Sequence, residues 1–225
     1  MRRAGLSPAT TGGAIVNSSP VRDRLLKVAV QRFAASGYEA TTMRAIASHA
    51  GVTLPTVYHY FGDKANLYLE ACLATFAPRA ERALATYSAS GASDAQRVFD
   101  FFVDLASDLL ENENFFKLMH REMIDQDREG IRRLTERCWK QSFTALCAAF
   151  SSLVPAGGDP VATAFTSFAL VFGLVEFRRK APFLHGSLES RYTPRALAEL
   201  TLGTTVPSVD WNRLPQRRER RAVAS

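Results

Sequence analysis

Three residues at fixed spacing constrain the fold of this chain more than any other feature. Ala47 is small enough to let a second helix cross close by, and Gly51, four residues later, suits a tight turn with left-handed backbone. Val57, ten residues after Ala47, supplies the apolar side chain that the second helix buries against the first. This spacing is typical of a helix-turn-helix, whose second helix enters the major groove of DNA.

An aromatic run, Tyr58-His59-Tyr60-Phe61, follows Val57 and leads into Gly62-Asp63-Lys64. Residues 41–47 and 57–64 together closely resemble the DNA-binding domain of TetR-family transcriptional regulators. The resemblance covers about a fifth of the chain. It implies a homodimer that binds double-stranded operator DNA, and a small-molecule inducer that binds between the middle helices.

Helical periodicity continues through the rest of the chain, and no stretch alternates with the period of two that strands require. We therefore predict an all-α fold of about nine helices, with an N-terminal three-helix helix-turn-helix domain followed by a larger helical domain. The predicted division is a disordered arm (1–20), the DNA-binding domain (21–67), a ligand-binding and dimerisation domain (68–204) and a basic disordered tail (205–225).

Helix-capping and helix-terminating residues predict where the first helices begin and end. Gly37 is expected to stop the first helix, and Thr41 or Thr42 to cap the second. Thr53 is expected to cap the recognition helix, and Asp63 the helix that follows.

Composition indicates a globular protein of a reducing compartment. The net charge of +6 permits a nucleic-acid partner without proving one, and the three cysteines form no CxxC pair. Arg2 and Arg3 are not followed by a sustained apolar run, so no signal peptide is expected. Polar residues interrupt the most apolar stretch, 161–177, so we expect no membrane span and a cytoplasmic location.

Residues on the outer face of the recognition helix are the candidates for reading bases, and flanking polar residues are the candidates for holding phosphates. Thr56 can contact a thymine methyl group, and His59 can donate to a purine acceptor. The resemblance places DNA contacts at these same positions. The full set of DNA-binding candidates is Thr42, Arg44, Thr53, Leu54, Pro55, Thr56, Tyr58, His59, Tyr60 and Lys64.

Two features leave the DNA contacts partly open. Many relatives in the resembling family carry a polar pair such as Lys-Gly where this chain has Leu54-Pro55, which removes a cationic contact and leaves the base preference undetermined. Tyr58 and Tyr60 have packing against the first helix as an alternative role.

A broad face of small and apolar residues on the helix that starts near Asp159 suggests a dimer interface, because alanine and glycine allow close approach and phenylalanine supplies buried area. The alternative is that its phenylalanines belong to the protomer's own core. TetR-family proteins dimerise through their last two long helices, and the resemblance implies the same mode of dimerisation for this chain. The candidates are Ala162, Phe165, Ala169, Phe172, Gly173, Glu176, Leu197 and Leu200.

Aromatic and methionine side chains cluster in the middle helices, where helical spacing makes them core residues by default. The resemblance implies that such helices also enclose an inducer, which a few polar side chains anchor. Glu122 is a candidate anchor in addition to the residues named below. The alternative role of Arg121 and Glu122 is a structural ion pair. The ligand-pocket candidates are Phe102, Phe116, Met119, His120, Arg121, Met123, Trp139, Phe143 and Phe168.

The sequence contains no recognisable catalytic motif. The four histidines have no metal-ligand spacing, and no phosphate-cradling glycine loop or nucleophile elbow is present, so we expect neither enzyme activity, metal nor cofactor. Two other functions remain open: a constitutive DNA-binding regulator without inducer, and a small-molecule-binding protein that has lost operator binding. Arg2 and Arg3 in the arm and the arginines of the tail are expected to be solvated, with DNA contact as the alternative.

Overall fold

The chain is predominantly helical in the part that the structure, a computed structural model, describes, which is residues 19–88, 91–124, 128–184 and 191–215. No strand occurs within these ranges, so the all-α prediction is confirmed. The helices are α1 (Pro20–Ala40), α2 (Met43–Ala50), α3 (Leu54–Phe61), α4 (Lys64–Ser88), α5 (Asp94–Glu111), α6 (Glu113–Ile124), α7 (Arg128–Leu134), α8 (Lys140–Ser151), α9 (Pro160–Arg178), α10 (Ala181–Leu184) and α11 (Pro194–Thr205).

A π-helical turn, Thr135–Trp139, joins α7 to α8 without a break. If these three are counted as one helix, the described ranges contain nine helices of seven or more residues, the predicted number. Residues 1–18 of the predicted arm and residues 216–225 of the predicted tail lie outside the described ranges.

Side-chain caps fix most of the helix starts. Thr42 accepts a hydrogen bond from the backbone N–H of Ala45 (3.1 Å), and Asp63 accepts one from Asn66 (2.7 Å). Asp159 accepts from two backbone N–H groups at the start of α9. Each cap satisfies donors that the first turn of a helix leaves without a partner, so these helices begin where the sequence predicts.

The three N-terminal helices enclose a small apolar core. Phe33 of α1, Ile46 of α2 and Val57 of α3 are completely buried, and Leu67 extends the same core into α4. Because α4 is 25 residues long and starts in this core, it carries the chain directly into the larger helical bundle.

The larger bundle is built from α5, α8, α9 and α11, which pack on one another, with α6 crossing from α5 to α1. Phe102 of α5 and Phe150 of α8 meet with their ring centroids 6.3 Å apart, and both side chains are completely buried. The apolar core of the bundle is thus continuous with that of the N-terminal helices, to which α1 and α4 connect it.

The segment after α11 corrects the prediction of a disordered tail beginning at residue 205. Trp211 is only 2% exposed, its ring stacks on Phe99 of α5, and its indole N–H donates to the carbonyl of Val206 (2.9 Å). The sequence prediction grouped residues 206–215 with the arginine cluster that follows them, and so missed their apolar side chains. Residues 206–215 therefore form a strap over the bundle.

Among the residues that the structure describes, one helix, α9, is long and apolar enough to cross a membrane by length and composition, although the sequence prediction was that no segment would be. A core helix of a soluble protein passes the same test. Only 28% of its most apolar window is buried within the protomer, so α9 presents apolar surface to the outside.

The strap yields a stability prediction. Trp211→Ala should lower the free energy of unfolding by about 3–5 kcal/mol, since it removes a buried aromatic side chain and leaves a cavity beside Phe99. Urea unfolding followed by circular dichroism measures the change. Arg213→Ala, two residues away at a side chain that is 87% exposed, is the matched control and should be nearly neutral. An unchanged midpoint for Trp211→Ala would contradict the packing of the strap.

Candidate nucleic-acid interface

The turn between α2 and α3 has the geometry of a helix-turn-helix. Gly51 lies in the left-handed region (φ 64°, ψ 38°), and its N–H donates to the carbonyls of Ala47 and Ser48. Val52 donates to the same Ala47 carbonyl (3.0 Å), which closes the turn tightly. A residue with a Cβ is strained in this conformation, so the glycine fixes the angle at which α3 leaves α2.

Two neighbouring threonines have different structural roles at the start of α2. The hydroxyl of Thr41 is buried and donates to the carbonyl of Gly37 (2.7 Å), which ties α1 to α2. Thr42, the exposed neighbour, caps α2, and Arg44 is exposed in its first turn. The candidates Thr42 and Arg44 thus lie together on the surface at the beginning of α2.

The start of α3 differs from the prediction in one respect. Thr53 occupies the position before the helix, but its hydroxyl makes no capping bond to the backbone. It forms a hydrogen bond with the hydroxyl of Thr56 instead (2.8 Å between the oxygens). Pro55 lies exposed in the first turn, where its missing N–H costs no helical hydrogen bond.

The rest of α3 has one buried and one exposed face. Val57 and Phe61 are buried, whereas Tyr58 is 48% exposed and His59 is also exposed. Tyr60 is half-buried, and its hydroxyl shares a hydrogen bond with the Ser19 hydroxyl at the start of α1 (3.1 Å). Sequence reasoning missed Ser19, since nothing in the local pattern signals a contact 41 residues away.

Lys64, the last of the DNA-binding candidates, already has partners within the protein. Its ammonium group lies 4.3 Å from the centre of the Tyr38 ring and donates to the carbonyl of Glu39 (3.2 Å). These contacts hold the start of α4 against the end of α1. The positive charge of Lys64 remains at the edge of the helix-turn-helix.

Arg121 of α6, a predicted ligand anchor, connects the two helical groups. Its guanidinium donates to the carbonyls of Ala34 (3.3 Å) and Ala35 (3.2 Å) near the end of α1. At Gly37 the backbone of α1 leaves helical geometry (φ 79°), and a Cβ there would lie 2.6 Å from an Arg121 nitrogen. A cation beside exposed carbonyls at a helix end is electrostatically favourable.

Most of the other predicted pocket residues pack into the core of the protein. Phe102, Phe116 and Met119 are buried, and the Phe116 ring stacks on Phe172 with 5.6 Å between centroids. His120 stacks on the same Phe172 ring. Among the rest, Trp139, Phe143 and Phe168 are half-buried, while the Met123 side chain lies outside the described part of the structure.

Glu122 does not pair with Arg121; it accepts a hydrogen bond from the Tyr68 hydroxyl of α4 (2.5 Å). Tyr68 and Glu122 line a cleft of about 360 Å³ between the end of α1 and helices α4, α6 and α7. The cleft therefore lies nearer to the helix-turn-helix than the aromatic cluster in which the sequence placed the pocket.

The dimer candidates divide into exposed and buried groups. Ala162, Phe165 and Ala169 are exposed on α9, with Phe165 at 67%, and Leu200 of α11 is 44% exposed. Gly173 is partly exposed, and so is Glu176, whose carboxylate lies 4.0 Å from His120. Two candidates are corrected: Phe172 and Leu197 are buried within the protomer, because they face α6 and the bundle interior.

Within the described residues, no group of three or more histidine, cysteine, aspartate or glutamate side chains is placed to hold a metal ion.

Comparisons with known proteins agree with this geometry. The sequence model of the bacterial regulatory proteins of the tetR family matches residues 25–71, which span α1 to the first part of α4. No curated protein sequence matches the chain.

Solved structures share the fold over most of the chain. FadR from Bacillus subtilis, in complex with stearoyl-CoA, is 18% identical and covers 84% of this chain and 99% of its own, with a TM-score of 0.64. NalD from Pseudomonas aeruginosa, the secondary repressor of the MexAB-OprM multidrug efflux pump, is 23% identical and covers 83% and 94%, with a TM-score of 0.61. SmeT, the repressor of the Stenotrophomonas maltophilia efflux pump SmeDEF, is 18% identical and covers 85% and 90%, also at 0.61.

The family match covers the helices that form the turn at Gly51, and the fold likeness covers 83% to 85% of the chain. Residues 25–71 thus match the sequence model of the tetR family, and the chain shares its fold with these solved regulators.

Proposed function

We propose that the protein is a homodimeric repressor that binds a palindromic operator and is released from it by a small amphipathic ligand. The main support is the division of α3 into a buried face, with Val57 and Phe61, and an exposed face, with Pro55, Tyr58 and His59. An exposed helix held by a rigid turn is what insertion into a major groove requires.

The composition of α3 suggests how it reads bases. The helix has no arginine, lysine, asparagine or glutamine, the side chains that make bidentate hydrogen bonds to purines. Because the Thr56 hydroxyl is already bonded to Thr53, its methyl group and the ring of Pro55 are suited to contact thymine methyl groups. His59 then supplies a donor to a purine acceptor, while Thr42, Arg44 and Lys64 are placed to approach phosphates.

Two such helices are needed for specific binding, because one short helix reads only a few base pairs. The exposed apolar side chains of α9 and α11 support a symmetric pairing of two protomers. Phe165 and Leu200 are large apolar side chains left largely exposed to water, and exposed Ala162 and Ala169 beside Phe165 allow close approach.

For a ligand in the bundle to release the protein from DNA, the bundle must control the position of the helix-turn-helix. Two connections support this: α4, which is continuous from Lys64, and the hydrogen bonds of Arg121 to the end of α1. A ligand that binds one arrangement of these helices more tightly shifts the distance between the two recognition helices of a dimer. FadR, whose structure contains stearoyl-CoA, and the repressors NalD and SmeT share the overall fold of this chain.

A constitutive DNA-binding regulator is the second candidate. The burial of Phe102, Phe116 and Met119 favours it, since these side chains, predicted to line an inducer pocket, are at most 7% exposed. Operator binding that no small molecule changes would support this candidate over a ligand-released repressor.

DNA reading is tested with the region upstream of the protein's own gene in a gel shift. The double variant Thr56→Ala with His59→Ala should bind at least about tenfold more weakly, since each base contact contributes about 1–3 kcal/mol. Thr144→Ala, at an exposed position of α8, is the control and should bind like wild type. Replacing half-site thymines by deoxyuridine should also weaken wild-type binding. The proposal would be wrong if the wild type did not bind this DNA, or if the double variant bound it as tightly as the wild type.

Dimerisation is tested by Phe165→Glu, which places a charge in the proposed interface and should convert dimers to monomers, because burying an unpaired carboxylate is costly. Light scattering after size exclusion measures the mass. Ala74→Glu, at an exposed position of α4, is the charge-matched control and should leave the dimer intact. A dimer that persists in Phe165→Glu would place the interface elsewhere.

The connection through Arg121 is tested by a double-mutant cycle with Gly37→Ala. In the wild-type background the glycine substitution should cost about 1–3 kcal/mol, because it adds both a strained backbone and a contact with the guanidinium. In the Arg121→Ala background the contact is gone and only the backbone strain remains, so the cost should be smaller. Urea unfolding measures both; equal costs would show that the two residues are energetically independent.

A further inference from the structure

Two hydroxyl groups from distant parts of the chain meet beside the recognition helix. The Ser19 hydroxyl, at the start of α1, and the Tyr60 hydroxyl, in the last turn of α3, share a hydrogen bond of 3.1 Å. Ser19 directly precedes α1, where a serine side chain often caps a helix, yet its hydroxyl makes no capping bond. The Ser19 hydroxyl is thus bonded to α3 rather than to the helix that it precedes.

The hydroxyl pair lies at the edge of the exposed face of α3. Tyr60 is half-buried and lies four residues after Thr56, so helical spacing puts the two on one side of α3. The rings of His59 and Tyr60 meet edge to face, with 5.3 Å between centroids. Thr56 and His59 are the candidates for reading base edges, and phosphates border the groove in which bases are read. A phosphate beside those bases therefore comes near the hydroxyl pair.

A second contact fixes the first turn of α1 in this place. Arg22 donates to the carboxylate of Glu70 on α4 (2.9 Å), and its guanidinium lies 5.4 Å from the centre of the Phe61 ring. Because Phe61 is buried at the end of α3, these contacts join α1, α3 and α4 next to Tyr60. Neighbouring contacts of this kind hold a binding group in a defined position.

Two hydroxyls that share one hydrogen bond keep one donor for a ligand. A serine or tyrosine hydroxyl has one hydrogen to donate, and its oxygen can also accept. One member of the pair uses its hydrogen on the other, and the accepting hydroxyl keeps its own. Accepting a hydrogen bond polarises this second O–H group and makes it a stronger donor. Phosphate oxygens of DNA accept hydrogen bonds from serine and tyrosine side chains, so the pair suits a phosphate.

We infer that Ser19 and Tyr60 act together as a hydrogen-bond donor to a DNA phosphate at the edge of the major groove. One of the two hydroxyls contacts the phosphate, and the other orients and polarises it. This contact adds the start of α1 to the surface that meets DNA. The inference rests on the proposed function only for DNA binding itself, and it requires neither a dimer nor a ligand.

The neutral pair differs from the cationic candidates in how its contact depends on salt. Each lysine or arginine that neutralises a phosphate releases counterions and adds about 0.9 to the slope of log K against log salt. A hydroxyl that donates to a phosphate releases none. Loss of the pair should therefore weaken DNA binding by the same factor at low and at high salt.

The contact is tested with Ser19→Ala, Tyr60→Phe and the double variant. Fluorescence anisotropy measures binding of the full-length proteins to the upstream region and to a duplex of random sequence, at about 50 and about 200 mM salt. Each single variant should bind both duplexes at least about threefold more weakly, and the variant that loses the contacting hydroxyl about tenfold. The double variant should bind no more weakly than the weaker single variant, since the two hydroxyls act as one donor.

A matched control and a phosphate scan separate this contact from a structural role. Ser36→Ala removes an exposed hydroxyl near the other end of α1 and should bind like wild type. In the scan, single phosphates of the upstream region are replaced by uncharged methylphosphonates. At the contacted phosphate the replacement should weaken wild type but not Ser19→Ala, whereas every other sensitive phosphate should affect both proteins equally. Urea unfolding checks that each variant is folded.

Three results would each overturn the inference: single variants that bind DNA like wild type, losses that add in the double variant, or a scan identical for wild type and Ser19→Ala. Wild type that binds the random duplex as tightly as the upstream region, with weakened variants, overturns the proposed function alone. Wild type that prefers the upstream region, with variants that bind equally well, overturns the phosphate contact alone. A wild type that binds neither duplex overturns both.

Discussion

The left-handed backbone at Gly51 is the constraint on which the exposed face of α3 depends. It turns the chain within two residues, so that Val57 reaches the core formed by Phe33 and Ile46. Because Val57 and Phe61 are buried, helical geometry places Pro55, Tyr58 and His59 on the surface. A short helix of this kind has little stability of its own, and its position comes from tertiary packing.

The sequence predicted most of what local rules control. Helix number, the turn at Gly51 and the caps at Thr42, Asp63 and Asp159 follow from spacing and side-chain chemistry within a few residues, and they agree with the structure. Thr53 was the exception, since a second hydroxyl at Thr56 offered its side chain a different partner. The strap with Trp211 was missed because its few apolar residues lie in a short segment just before the arginine cluster and form no sustained periodic pattern.

Contacts between distant parts of the chain were beyond sequence reasoning. Arg121 and Glu122 were predicted as ligand anchors or as an ion pair, whereas each has its partners on a different helix, more than 50 residues away in the chain. Phe172 was assigned to a dimer face because its spacing matches Phe165, but the two side chains point to opposite environments: one is buried and the other exposed. Periodicity identifies a helix, and only packing decides which of its faces is covered.

The bridge from Arg121 to α1 also bears on how far the DNA-binding segment is a module. The family match ends at residue 71, yet the carbonyls of Ala34 and Ala35 and the hydroxyl of Tyr68 have their partners on α6. A segment cut at that boundary and joined to another regulator would leave these groups to water or to whatever the new host supplies. Exchange of operator specificity between such proteins is therefore simplest when α6 travels with the segment, or when only the exposed residues of α3 are changed.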